Sequence, residues 1–230
     1  MRLLATSSFM LVLAASPIFA DIVANPLEIY PLTGTITTVD LTGVPLGDAN
    51  ISTSAYLVQF LPYLADGDPD NGVVKGDLTG KYANPVEAAG PTYWSQQGGN
   101  YFSTGTTGST TRITFTAAQS NLAFLWGSVD IYNSLTIHYA NGDKTYTGSQ
   151  AAAAASILPN GNQGYLGSAW VTITPDSAGD TYHSVEFTST NYAFEFADVD
   201  ASTVPDSGGT LMLFGSALVG VEVLRRKFRS

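Results

Sequence analysis

The 230-residue chain carries 9 Lys and Arg against 19 Asp and Glu, a formal net charge of −10, and it has no cysteine. So acidic a chain is a poor partner for nucleic acid or anionic lipid. The absence of cysteine excludes disulfides, thiolate metal sites and a cysteine nucleophile.

Residues 1–20 place one positive charge, Arg2, before an apolar stretch around residues 9–15 and a small-residue end, Ser16-Pro17-Ile18-Phe19-Ala20. That is the layout of a secretory signal peptide, with cleavage expected after Ala20 and with Ala24 as the alternative. The exported part is expected to be one domain, residues 21–203. Up to residue 204 it has four cations (Lys75, Lys81, Arg112 and Lys144) against 17 acids, a net charge of −13. Its length suffices for one β-rich core and does not require a second.

This part is rich in Thr, Tyr, Phe, Val, Ile and Gly, with turn residues every 8 to 15 positions, an all-β signature. Residues 34–41 and 50–60 read as the first strands, and residues 66–80, acidic and Gly-rich, as a loop. Within that loop Asp66, Asp68 and Asp70 stand at positions 1, 3 and 5 and Asp77 at position 12, the spacing of a calcium loop. Calcium is therefore the one candidate cofactor, with a solvated acidic turn as the alternative. Trp94, in Thr92-Tyr93-Trp94-Ser95, is the candidate exposed platform for stacking on a sugar. Residues 98–111 are polar and of low complexity, expected as a mobile loop or a poorly packed edge.

Residues 111–116 alternate, with Ile113 and Phe115 on one face. Residues 121–129 are apolar on both faces, which predicts a central, buried strand with Trp126 in the core. Residues 134–139 and 143–147 flank Asn141-Gly142, predicting a hairpin closed by a type I′ turn over those two residues. Residues 150–157, with five consecutive alanines, predict a short helix stopped by Pro159. Residues 169–174, 184–188 and 192–198 complete about nine strands. The expected fold is all-β, a single β-sandwich of jelly-roll type.

The block Phe124-Leu125-Trp126-Gly127-Ser128-Val129-Asp130-Ile131-Tyr132-Asn133-Ser134-Leu135 resembles the core of a family of exosortase-dependent bacterial surface proteins. Gly80-Lys81-Tyr82-Ala83-Asn84-Pro85 resembles an upstream motif of that family. Val185-Glu186-Phe187-Thr188-Ser189, with Ala193-Phe194-Glu195-Phe196-Ala197-Asp198, resembles its closing motif. The resemblance implies no catalytic residues.

No arrangement of residues demands catalysis, and a non-enzymatic role is expected. His138 and His183 are the only histidines, and neither has the spacing of a transition-metal ligand pair. A Ser-His-Asp set has no G-x-S-x-G elbow to support it. Glu186 and Glu195 are expected on adjacent strands, facing solvent rather than forming a glycosidase pair.

The tail reads as an address. Val204-Pro205-Asp206-Ser207-Gly208 precedes a mostly apolar run to residue 224, then Arg225, Arg226, Lys227 and Arg229. Residues 208–224 would span roughly 26 Å as a helix, just short of a hydrocarbon core of about 30 Å. The basic cluster would hold its end in the cytoplasm. Residues 204–230 resemble the VPDSG variant of the PEP-CTERM sorting signal. That resemblance implies an exosortase-type membrane protease as partner, with Val204, Pro205, Asp206, Ser207 and Gly208 as the recognition segment. It implies a precursor anchored in the inner membrane by a single transmembrane helix, then a surface or extracellular-matrix protein. A surface-displayed carbohydrate-binding module with exopolysaccharide as its partner is the second reading, and a secreted hydrolase the third.

Overall fold

Thirteen strands and one α-helix lie among the residues that the computed structural model describes, which are 22–25, 31–61, 71–85, 99–105, 108–177 and 179–203. In chain order they are β1 (Ile22–Asn25), β2 (Ile36–Thr38), β3 (Ile51–Ser52), β4 (Tyr56–Leu61), β5 (Gly72–Lys75), β6 (Asn100–Thr104), β7 (Ser109–Gln119) and β8 (Asn121–Gly127). The hairpin β9 (Asn133–Tyr139) and β10 (Gly142–Thr147) leads into α1 (Gly148–Ala155), and β11 (Ala169–Ile173), β12 (Tyr182–Ser189) and β13 (Phe194–Ser202) follow.

All pairings are antiparallel and form two sheets. One runs β1-β11-β8-β13-β6-β5, with β2 added on β13; the other runs β10-β9-β12-β7-β4-β3. Within them β6-β13-β8-β11 faces β7-β12-β9-β10, so that the first and last strands of this eight-strand run, β6 and β13, pair in one sheet, and the second and next-to-last, β7 and β12, pair in the other. That is jelly-roll connectivity.

The inner faces meet through aromatic rings, which pack large apolar area and add geometric preference. Phe187 of β12 stacks on Phe196 of β13 at 3.8 Å between ring centres, and Trp126 stacks on Phe194 at 4.4 Å. Ile113, Phe115, Leu135, Ile137 and Val185 close the core from the second sheet, all at most 1 % exposed. Trp126 is fully buried, and β8 lies inside its sheet, as its two apolar faces predict. Its other face is covered too. Leu125 joins Trp170, Tyr101, Val74 and Ala197 in a second, smaller cluster beneath Tyr82. Pro85 packs so closely on Gly127 that an added Cβ there would lie 2.5 Å from the Pro85 ring. The segment 76–85 thus lies over the outer face of the seven-stranded sheet.

Several expectations change. Residues 66–80 are not all loop, because Gly72–Lys75 pairs with β6. Where they are described, residues 98–111 form paired strand rather than a loop or a poor edge, with Asn100–Thr104 as β6 and Ser109 opening β7. Tyr101, Phe102, Ser103 and Thr104 are buried between β5 and β13, the polar ones satisfied by their neighbours, as in the Thr104–Thr111 hydroxyl pair at 2.7 Å. The stretch 50–60 is split in two by a turn at Thr53, whose hydroxyl accepts from the backbone amides of Ala55 and Tyr56.

The hairpin forms, but Gly142 pairs with Tyr139, so the tip is Ala140-Asn141 and only Gly142 has a positive φ, of 134°. Glycine takes the strained position directly after the turn, which spares Asn141. The helix begins two residues earlier than expected. Thr147 and Gln150 form a capping box, and Ser156 in the left-handed conformation ends it before Pro159 is reached.

Candidate functional site

Where β8 ends, Ser128 turns the chain with a φ of 35°, and Val129, buried in the core, anchors the turn by bonding Gly167 and Gly161 through its backbone. Asp130 follows, fixed from two sides. Its carbonyl lies where a Cβ on Gly148 would be, at 1.9 Å, and its carboxylate lies 2.6 Å from the place of a Cβ on Gly161. Asp130 also forms an isolated bridge with Asn160. Only glycine lets the start of α1 and the 160–161 turn approach so near.

Across from this turn β13 begins. Phe194 and Phe196 point into the core, so Glu195 between them points outward. It is nevertheless 2 % exposed, because segment 76–85 lies over it. One carboxyl oxygen accepts from the Ala83 amide at 2.9 Å, and the other accepts from the Ser128 hydroxyl. Burial pushes the Glu195 acid up to about 7, although those hydrogen bonds act in the other direction, and the nearby Asp130 charge adds to the rise. Asp130 is 7 % exposed and is likewise raised, chiefly by burial.

These groups line an open cleft of about 360 Å³ with Lys81, Tyr132, Asn160, Gln163 and Tyr192. The Tyr132 hydroxyl donates to the Tyr192 carbonyl at 2.6 Å, and Asn133 donates to the Ala193 carbonyl at 3.1 Å. Burial and the Asp130 carboxylate hold the Tyr132 phenol well above its usual range. Lys81 sits 4.6 Å over the Tyr192 ring and donates to its hydroxyl at 3.4 Å. A second cleft, lined by Asp77, Tyr82, Asn84 and Gln163, adjoins it.

The expected site residues fare differently. Asp66, Asp68, Asp70, Trp94, the segment from Val204 to Gly208, and Arg225, Arg226, Lys227 and Arg229 all lie outside the described residues. Asp77 is described, and its carboxylate accepts from the Asn84 amide at 2.8 Å. Among the described residues no group of three His, Cys, Asp or Glu is placed to hold a metal, and no helix is long and apolar enough to cross a membrane.

Glu186 and Glu195 are not on adjacent strands, since β12 and β13 belong to opposite sheets, and Glu195 is not solvated. Glu186 sits on the outer face of the second sheet, paired with Arg112 and 3.4 Å from His138, which also bonds Asp143 at 2.9 Å. His183 lies 3.2 Å from the Phe115 carbonyl. Neither histidine lines the cleft.

Their chemistry in the sequence does not single out Ser128 or Asp130 as a site, and it assigns Glu195 to solvent. The available signal was positional. The blocks 80–85, 124–135 and 193–198, distant in sequence, all meet at this cleft.

The family model for the VPDSG-CTERM motif matches residues 203–228, a PEP-CTERM-type exosortase sorting signal. No curated protein and no solved structure matches the chain. The likeness of the central blocks to exosortase-dependent surface proteins therefore finds no support in these comparisons.

Proposed function

We propose that the chain is exported, sorted by an exosortase and displayed at the cell surface or in the extracellular matrix, where its β domain acts without catalysis. The observation that carries this reading is the sorting signal at residues 203–228. A leader over residues 1–20 would start export. The apolar run 208–224 would then pause the precursor in the inner membrane, with Arg225, Arg226, Lys227 and Arg229 held inside. Recognition would fall on Val204, Pro205, Asp206, Ser207 and Gly208.

The test is intact-mass analysis of the protein from cells with and without their exosortase. The expected mature form in exosortase-bearing cells has lost Phe228 and everything beyond the motif. Retention of Phe228 there overturns the sorting reading.

A second reading, a surface-displayed binding module, is favoured by one observation, the polar cleft with tyrosine at its rim.

A further inference from the structure

Asp130 presents an imbalance. The residue is 7 % exposed, and it lines the cleft. Among the described residues Tyr132 is the one side chain that hydrogen-bonds to it. A phenol has a single proton, however, and the Tyr192 carbonyl, 2.6 Å from the Tyr132 hydroxyl, competes for it. A carboxylate able to accept about four hydrogen bonds thus faces the cleft with one shared side-chain donor among the described residues and acceptor capacity to spare. In an open cleft water meets that need, and a ligand that displaces the water must supply donors in turn.

Three classes of ligand could supply them. A divalent cation needs six to eight oxygens, several of them charged. Here Glu195 is already engaged on both oxygens, and the Lys81 ammonium stands at the rim. An anionic polymer is disfavoured by the carboxylates themselves and by the −13 charge of residues 21–204. A neutral polyol fits, because each hydroxyl both donates and accepts. Asp130 takes donors, Asn160 and Gln163 offer both roles, and Lys81 gives donors only. Tyr192, 38 % exposed, adds an apolar ring at the edge, and the volume lies within the range of small-ligand sites.

We propose that this cleft binds a neutral saccharide unit, free or as part of a neutral polysaccharide, with Asp130 accepting from its hydroxyls. The inference rests on the cleft alone, so it and the sorting reading can fail independently.

The test uses the full-length chain in a detergent without a sugar headgroup. Native affinity electrophoresis runs through gels cast with dextran, galactomannan or xylan, and calorimetric titrations use glucose, mannose, galactose and xylose. Retardation by a polymer without monosaccharide heat identifies a polysaccharide ligand, and saturable heat identifies a free sugar; either supports the proposal. Asp130→Asn should weaken binding at least tenfold, while His183→Ala, away from the cleft, leaves it unchanged. Should Asp130→Asn melt like an unfolded chain, Gln163→Ala, on the exposed rim, carries the comparison, with a loss of several-fold expected. The proposal is overturned if no probe is bound, or if binding survives in both cleft variants. It is equally overturned if binding is lost in His183→Ala, or if only calcium chloride gives saturable heat that Asp130→Asn abolishes.

Discussion

Glu195 should make the stability of this domain fall as pH rises through neutrality. In the unfolded chain it ionises near 4.5, and in the folded protein, where it is buried beneath segment 76–85, near 7. Below 4.5 both states hold the proton, and the contribution of the neutral, buried acid is fully present. Between 4.5 and 7 the unfolded state sheds its proton first, so stability declines by up to about 1.4 kcal/mol per pH unit. Above 7 both states are ionised and the loss is complete, at about 3 kcal/mol. For a domain of this size that is about 10 °C in Tm.

Asp130 and Asp200 are also raised by burial and act in the same direction, so the parent curve alone does not isolate Glu195. Glu195→Gln does. Its carbonyl can still accept from the Ala83 amide, and its NH2 can donate to Ser128, which reproduces the neutral acid. Denaturant unfolding of parent and variant from pH 4 to pH 8.5 should give a stability difference near its minimum at pH 4. That difference should grow in the variant's favour by about 3 kcal/mol by pH 8. A difference that stays constant across the range would refute the argument, since the Glu195 carboxyl would then be solvated or ionised in the folded state at all these pH values.

Trp126→Ala removes the ring that stacks on Phe194 and should cost about 3–5 kcal/mol of stability; an unmoved denaturant midpoint would place the residue outside the core. Gly148→Ala sets two effects against each other. Alanine gains about 1 kcal/mol in helix propensity, but its Cβ would lie 1.9 Å from the Asp130 carbonyl. The clash should win, with a net loss of about 2 kcal/mol by the same unfolding measurement, and a stabilised variant would show that the contact is not made.

The patterns legible in the sequence were those set by local geometry. Alternation identifies strands because successive side chains face opposite ways, and it placed Ile113, Phe115 and both faces of the strand around Trp126 correctly. Five consecutive alanines mark the short helix through local propensity, but its expected start falls two residues late, because the Thr147–Gln150 capping box sets it. The motif beginning at Val204 is likewise contiguous, and no folding is needed to read it. The cleft is different. Alternation assigns Glu195 to the outer side of its strand, and an acid there reads as solvated. Whether that side meets water depends on Tyr82, Ala83 and Pro85, over a hundred residues earlier in the chain, crossing the sheet. The same holds for Tyr101 and Phe102, whose polar neighbourhood looks like a loop until β5 and β13 flank it. Asp130 acquires its burial from Gly148 and Gly161, two glycines whose spacing in sequence gives no sign of their meeting. Strand direction is a property of the local backbone, whereas burial of an outward face is a property of what the rest of the chain lays upon it, and only the tertiary structure decides that.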